Sequence, residues 1–219
     1  MSKSECIDGG SKWYTCHERM VLGEAPIFRA SDSTLHWVDP LSEPPRLYIL
    51  QLDDSGSPVG EARVLDLEDS VTVVCFRRDK PGYIAAYYQG VCFIDEETGK
   101  IEVVKEIIPT DQRDILRFND GGVDAKGRFW LGEIDKKAIA LGAGASLDGY
   151  GTPKGRLWRY DPDGSLNLMI EGGIISGNGL AWSPDNKTSM SLSAAAKDST
   201  ISNTVSVLQR LHGVPCLGV

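Results

Sequence analysis

The strongest constraint on this chain is a repeat. Residues 26–39 (PIFRASDSTLHWVD), 73–90 (VVCFRRDKPGYIAAYYQG) and 121–135 (GGVDAKGRFWLGEID) follow one plan. A short apolar stretch meets a polar turn holding Asp with Gly or Ser, and an aromatic-rich apolar stretch follows. That is the signature of a β-hairpin. Residues 179–188 (GLAWSPDNKT) open the plan a fourth time. With Phe28, Phe76, Val123 and Trp182 taken as equivalent, the intervals are 48, 47 and 59 residues. The longer third interval contains ALGAGASLDGYGTPKG (140–155), a glycine-rich stretch that reads as a loop. A second hairpin follows each of the first three: RLYILQLDDSGSPVGEARVL (46–65), GVCFIDEETGKIEVV (90–104) and GRLWRYDPDGSLNLMI (155–170). Two hairpins make four strands, and four strands recurring every ~40–50 residues are the footprint of a β-propeller blade. The fold class is therefore read as all-β, with three clear blades and the start of a fourth. An irregular β-sandwich is the plainer alternative.

Bulk properties narrow the function. The 219 residues carry a formal net charge of −8 with scattered Lys and Arg, which argues against nucleic acid, since a phosphate backbone needs a clustered basic face. Cys6, Cys16, Cys75, Cys92 and Cys216 are widely spaced, with no CxxC and no zinc-like Cys/His spacing. An odd set of scattered thiols fits a reducing compartment. The N-terminus has no apolar signal-like core and no 18-residue apolar run occurs. The expectation is a cytoplasmic protein without a membrane partner.

Five ordered stretches resemble the senescence-marker-protein/gluconolactonase/regucalcin family, which includes the luciferin-regenerating proteins. They are LGEAPIF (22–28), LHWVD (35–39), RFNDGGVDAKGRFWLGE (117–133), GRLWRYDPDG (155–164) and ISGNGLAWSPDNKT (175–188). The resemblance runs over about 13–188 and implies a six-bladed propeller with one divalent cation (calcium, zinc, magnesium or manganese) in its central channel. It also implies hydrolysis of a sugar lactone. On that resemblance Glu24 and Asn178 match metal ligands, although Gly177 stands where the usual motif runs serine directly into asparagine. Arg117 and Asn119 match substrate-binding residues, and Asp120 is a neighbouring acid expected to be structural. The chemistry suits these types. Carboxylate and amide oxygens are what a hard cation prefers, and a guanidinium fork can hold substrate oxygens.

Each of these residues has a plainer reading. Glu24 alone would be a surface turn residue, and Asn178 between two glycines or Asn119 before Asp-Gly would be turn formers. His17 lies outside any HExxH pattern, His36 alternates with its strand neighbours, and Trp130, Trp158 and Trp182 read as packing between sheets.

The repeat stops after Lys187. Residues 189–219 are rich in Ser, Ala and Thr and contain no aromatic residue. The family's third metal ligand, an Asp also proposed as its acid or base, belongs to a region that has no match here, so no catalytic residue is assigned. Three functions stay open. One is a metal-dependent lactonase acting on a sugar lactone. Another is a non-catalytic calcium-binding propeller fragment. The third is a kelch- or WD-type adaptor, disfavoured because those signatures are missing. Open blade edges would favour self-association.

Overall fold

The structure is a computed structural model that describes residues 13–142 and 146–183, together with strands at 189–194 and 203–208. It is built from antiparallel sheets, as the repeat requires. The first blade holds β1 (Glu24–Arg29), β2 (Thr34–Asp39), β3 (Arg46–Gln51) and β4 (Arg63–Asp66). The second holds β5 (Val71–Phe76), β6 (Tyr83–Tyr87), β7 (Gly90–Ile94) and β8 (Ile101–Glu106). The third holds β9 (Leu116–Val123), β10 (Phe129–Asp135), β11 (Gly155–Tyr160) and β12 (Leu166–Ile174). In each, sequence neighbours pair in order as a four-stranded meander. Strand β13 (Gly177–Trp182) pairs with β14 (Ser189–Ala194), and β14 with β15 (Asn203–Leu208), so two strands lie in the segment beyond residue 188.

All six predicted hairpins of the first three blades form. The residues taken as equivalent sit at matching places: Phe76, Val123 and Trp182 end β5, β9 and β13, and Phe28 is one short of the end of β1. Two of the turns show one device clearly. Asp95 Oδ1 accepts the amides of Glu97 and Thr98, and Asp124 Oδ1 those of Lys126 and Arg128. The chain then reverses through Gly99 or Gly127, each at positive φ, which glycine adopts without a Cβ penalty.

The first three strands of the middle blade, β5, β6 and β7, are largely buried, which explains their near-continuous apolar runs, whereas β8 lies at the outer edge with no buried residue. Alternate residues go to opposite neighbours, as the two-residue period of a strand demands. Tyr83, Ala85 and Tyr87 of β6 join Val38, Leu47 and Val71 in the core between the first two blades. Ala86 of the same strand joins Leu116, Phe118, Phe129 and Leu131 in the core between the second and third. The outer face of the first blade carries Trp37, Tyr48 and Leu50, covered by Tyr14, Cys16 and Met20 from the segment ahead of β1. Among the described residues helix is confined to a short turn at Thr110–Gln112 and to α1 (Lys136–Ala140), one turn capped by Asp135. Among the described residues no helix is long and apolar enough to cross a membrane.

Candidate functional site

The sequence-predicted residues fall on the first strand of their blades, and β1, β5, β9 and β13 follow one another around an arc. Each of these four strands carries a one-residue irregularity against its partner. In β1 it lies between Glu24 and Ile27, in β5 at Thr72, in β9 at Asn119 and in β13 at Gly179. A bulge leaves one residue out of the ladder and re-aims the side chains beside it. Glu24, Asn119 and Asn178 are thus all at or next to a bulge. Ala25 follows Glu24 at φ 50°, a left-handed conformation that costs a residue with a Cβ about 1–2 kcal/mol.

The segment ahead of β1 is pinned by Asp39, the last residue of LHWVD. Its buried carboxylate accepts the amides of Val21 at 2.7 Å and Leu22 at 3.1 Å, two residues before Glu24. Across the arc, the RFNDG motif clasps the SGNGL motif on both sides of Asn178. Asn119 Nδ2 donates to the Gly177 carbonyl at 3.0 Å, and Asp120 Oδ2 accepts the Gly179 amide at 2.7 Å. Asp120 Oδ1 takes the Gly121 amide at 2.7 Å, so both of its oxygens are engaged with backbone. This is the structural role expected of Asp120.

Arg117 Nη1 donates to Asn119 Oδ1 at 3.2 Å and to the Phe118 carbonyl at 3.0 Å, and its guanidinium lies over the Tyr88 ring at 5.0 Å. Burial lowers its pKa, opposed by Tyr88 and Glu24. Glu24 is exposed at the surface of its strand, yet the surrounding walls desolvate the carboxylate and raise its pKa. The nearby Asp120 charge pushes the same way and Arg117 pulls against both. Glu24, Arg117 and Asp120 therefore share one electrostatic neighbourhood, to which Asn119 and the backbone flanking Asn178 are hydrogen-bonded. Neither the Glu24 carboxylate nor the exposed Asn178 amide makes a hydrogen bond among the described residues. Two oxygen donors thus remain uncommitted beside Arg117, Asn119 and Asp120, each of which makes at least one hydrogen bond.

Gly177 is explained by packing. A Cβ on it would lie 2.6 Å from Gly132 Cα of β10, and a Cβ on Gly132 would lie 2.9 Å from Gly177 Cα. The third blade and β13 meet backbone to backbone at that point, with a bridge between Ile134 and Ser176 beside it. A serine at 177 would not fit this approach.

The remaining candidates are structural. His36 is fully buried between Thr34 and Tyr83, hydrogen-bonded to both hydroxyls. Trp130 and Trp158 give their ring N–H to the buried carboxylates Asp124 and Glu133, and Trp182 packs on Gly122. His17 is exposed, and His212 lies outside the described residues. Among the described residues no group of three His, Cys, Asp or Glu side chains is placed to hold a metal.

A family model described as "SMP-30/Gluconolactonase/LRE-like region" matches residues 22–202. The chain is 32% identical over 166 residues to 6-deoxy-6-sulfogluconolactonase of Pseudomonas putida, covering 75% of this chain and 49% of that protein. It is 27% identical over 172 residues to regucalcin of Danio rerio, covering 78% of this chain and 50% of the relative. Among solved structures, regucalcin of Agrobacterium tumefaciens, described as a calcium-binding protein, superposes with a TM-score of 0.61 at 24% identity. That superposition covers 80% of this chain and 51% of the other. A luciferin-regenerating enzyme superposes with a TM-score of 0.63 at 20% identity, over 80% of this chain and 53% of its own. The chain thus spans about half the length of the curated relatives it matches. With the family model matching most of its length and the propeller-type blades in place, the chain belongs to the SMP-30/gluconolactonase/LRE-like family.

Proposed function

We propose that this chain carries the first part of a sugar-lactone hydrolysis site that works with a divalent cation. The observation that supports this best is the pair of free oxygen donors, Glu24 and Asn178, each beside a bulge on an inner strand. A desolvated carboxylate close to a second carboxylate is a place where a cation relieves repulsion. The donors are hard oxygens, which suits calcium, magnesium or manganese and is tolerated by zinc. Glu24 and Asn178 would hold the ion, and the ion would polarise a lactone carbonyl and make a bound water more acidic. Asn119 and Asp120 hold the bulged strand at Asn178 in place through its two flanking residues. Arg117 keeps its charge beside Glu24, and its remaining N–H groups can hold lactone or carboxylate oxygens. Asn119 has one amide hydrogen left for a sugar hydroxyl.

The same donors support cation binding without turnover. This second reading is favoured by the lack, among the described residues, of a third acidic side chain gathered with them. Hydrolysis of gluconolactone, followed by proton release with each cation in turn and after chelation, separates the two. Cation-dependent turnover that Glu24→Gln removes supports the lactonase. Cation binding without turnover supports the second reading, and the loss of both removes the site.

A further inference from the structure

The loop ahead of β9, the start of β11 and the end of β12 enclose a cleft of about 410 Å³ that the reading above does not use. The antiparallel order of the third blade brings all three to the end of the sheet where β9 begins, next to Arg117 but on the outer strands. The cleft is lined by Gln112, Thr152, Lys154, Arg156 and Glu171. Two of these residues contribute buried polar atoms with no hydrogen-bond partner, Gln112 Oε1 and Arg156 Nη2.

The reason Arg156 has an unused donor lies in the blade. Glu133, fully buried on β10, accepts Arg156 Nε at 2.8 Å, the Arg156 amide at 3.0 Å and Trp158 Nε1 at 2.8 Å. The guanidinium is thereby locked, stacked near the Trp158 ring at 5.2 Å, with Nε committed and Nη2 committed to nothing. Nη2 is closed off from solvent, so a ligand in the cleft would meet the open part of the guanidinium, whose side chain is 17% exposed. Lys154 is fixed at its backbone, where its amide donates to Asp135 Oδ2 at 2.8 Å, while its ammonium makes no ion pair among the described residues. A fixed guanidinium and a free ammonium on one cleft wall suit a carboxylate. The Gln112 amide and Thr152 hydroxyl suit hydroxyl groups next to it. Glu171 opposes dianions, so a monoanion is preferred over phosphate.

We propose that this cleft binds a small hydroxylated monocarboxylate. The assignment is independent of the lactonase reading, although opening a sugar lactone yields a compound of this class. Its test is calorimetric titration of the full chain with sodium gluconate, with glucose and inorganic phosphate as comparison ligands. Saturable gluconate binding with a Kd on the order of 1 mM or tighter is expected, with neither comparison ligand saturating in that range. Lys154→Ala and Gln112→Ala, whose side chains make no hydrogen bond among the described residues, should each weaken gluconate by roughly three- to tenfold. Arg156→Gln would expose Glu133 to an unpaired burial and is the less informative variant. Glu24→Ala should leave gluconate affinity unchanged. No saturable gluconate binding, equal binding of glucose, or loss of gluconate in Glu24→Ala but not in the cleft variants would overturn the proposal.

Discussion

At Gly177 there is no room for any side chain, and the reason is Gly132 across the blade boundary rather than the bulge beside Asn178. Gly177→Ser should therefore cost about 1–3 kcal/mol of stability through overpacking, read as a shift in the urea midpoint. An unchanged midpoint would mean that the two backbones can separate freely. His36 gives a second residue-scale prediction. Burial is the main cause that depresses its pKa, to about 4, with Arg29 and Arg63 adding to the effect and Glu96 and Asp32 opposing it. The unfolded imidazole titrates near 6.5, so the folded state is at full advantage above that value. The advantage fades as pH falls from 6.5 toward 4 and amounts in total to on the order of 3 kcal/mol. Stability measured from pH 8 to 4 should fall over this window, and His36→Gln should flatten the fall. An equal slope in both proteins would remove His36 as its cause.

Among the elements, the hairpins could be read directly, because strand alternation and Asp-to-Gly turns are local signals. RFNDG and SGNGL could be recognised as motifs for the same reason. The bulges could not, since an extra residue exists only relative to the partner strand's count: Asn119 is out of register because Asp120 pairs with Gly132 and Phe118 with Glu133. Nor could the buried acids of FWLGEID be foreseen on an apolar strand. Glu133 and Asp135 are fully buried, and their partners lie in the following loop and strand, as with Arg156, Trp158, Tyr150 and Lys154. Asp135 caps α1 through the amides of Lys137 and Ala138 and also receives the Tyr150 hydroxyl at 2.6 Å. Its hydrogen bonds lower its pKa against the effect of burial, which opposes them as the largest single influence. Replacing it by alanine strands several buried donors, so Asp135→Ala should cost at least about 3 kcal/mol. Thermal unfolding of that variant checks this, and a loss below about 1 kcal/mol would show that the loop after β10 is not held by the carboxylate.

For the whole molecule, the three complete blades are joined by two apolar cores, and the candidate site lies where their first strands converge. The proposed site would span the arc, with Glu24 from its first strand, Arg117, Asn119 and Asp120 from the third blade, and Asn178 from β13. A cation bound there would tie β1 to β13, so it should raise the unfolding temperature as well as bind. The most direct measurement is calorimetric titration of the chain with calcium and with zinc, run beside Glu24→Gln and Asn178→Ala. Saturable binding by the parent chain, weakened at least about tenfold in each variant, is the expected result, since a charged or amide ligand contributes on the order of 1.4 kcal/mol or more. Equal affinity in all three proteins would contradict the placement of the cation between Glu24 and Asn178.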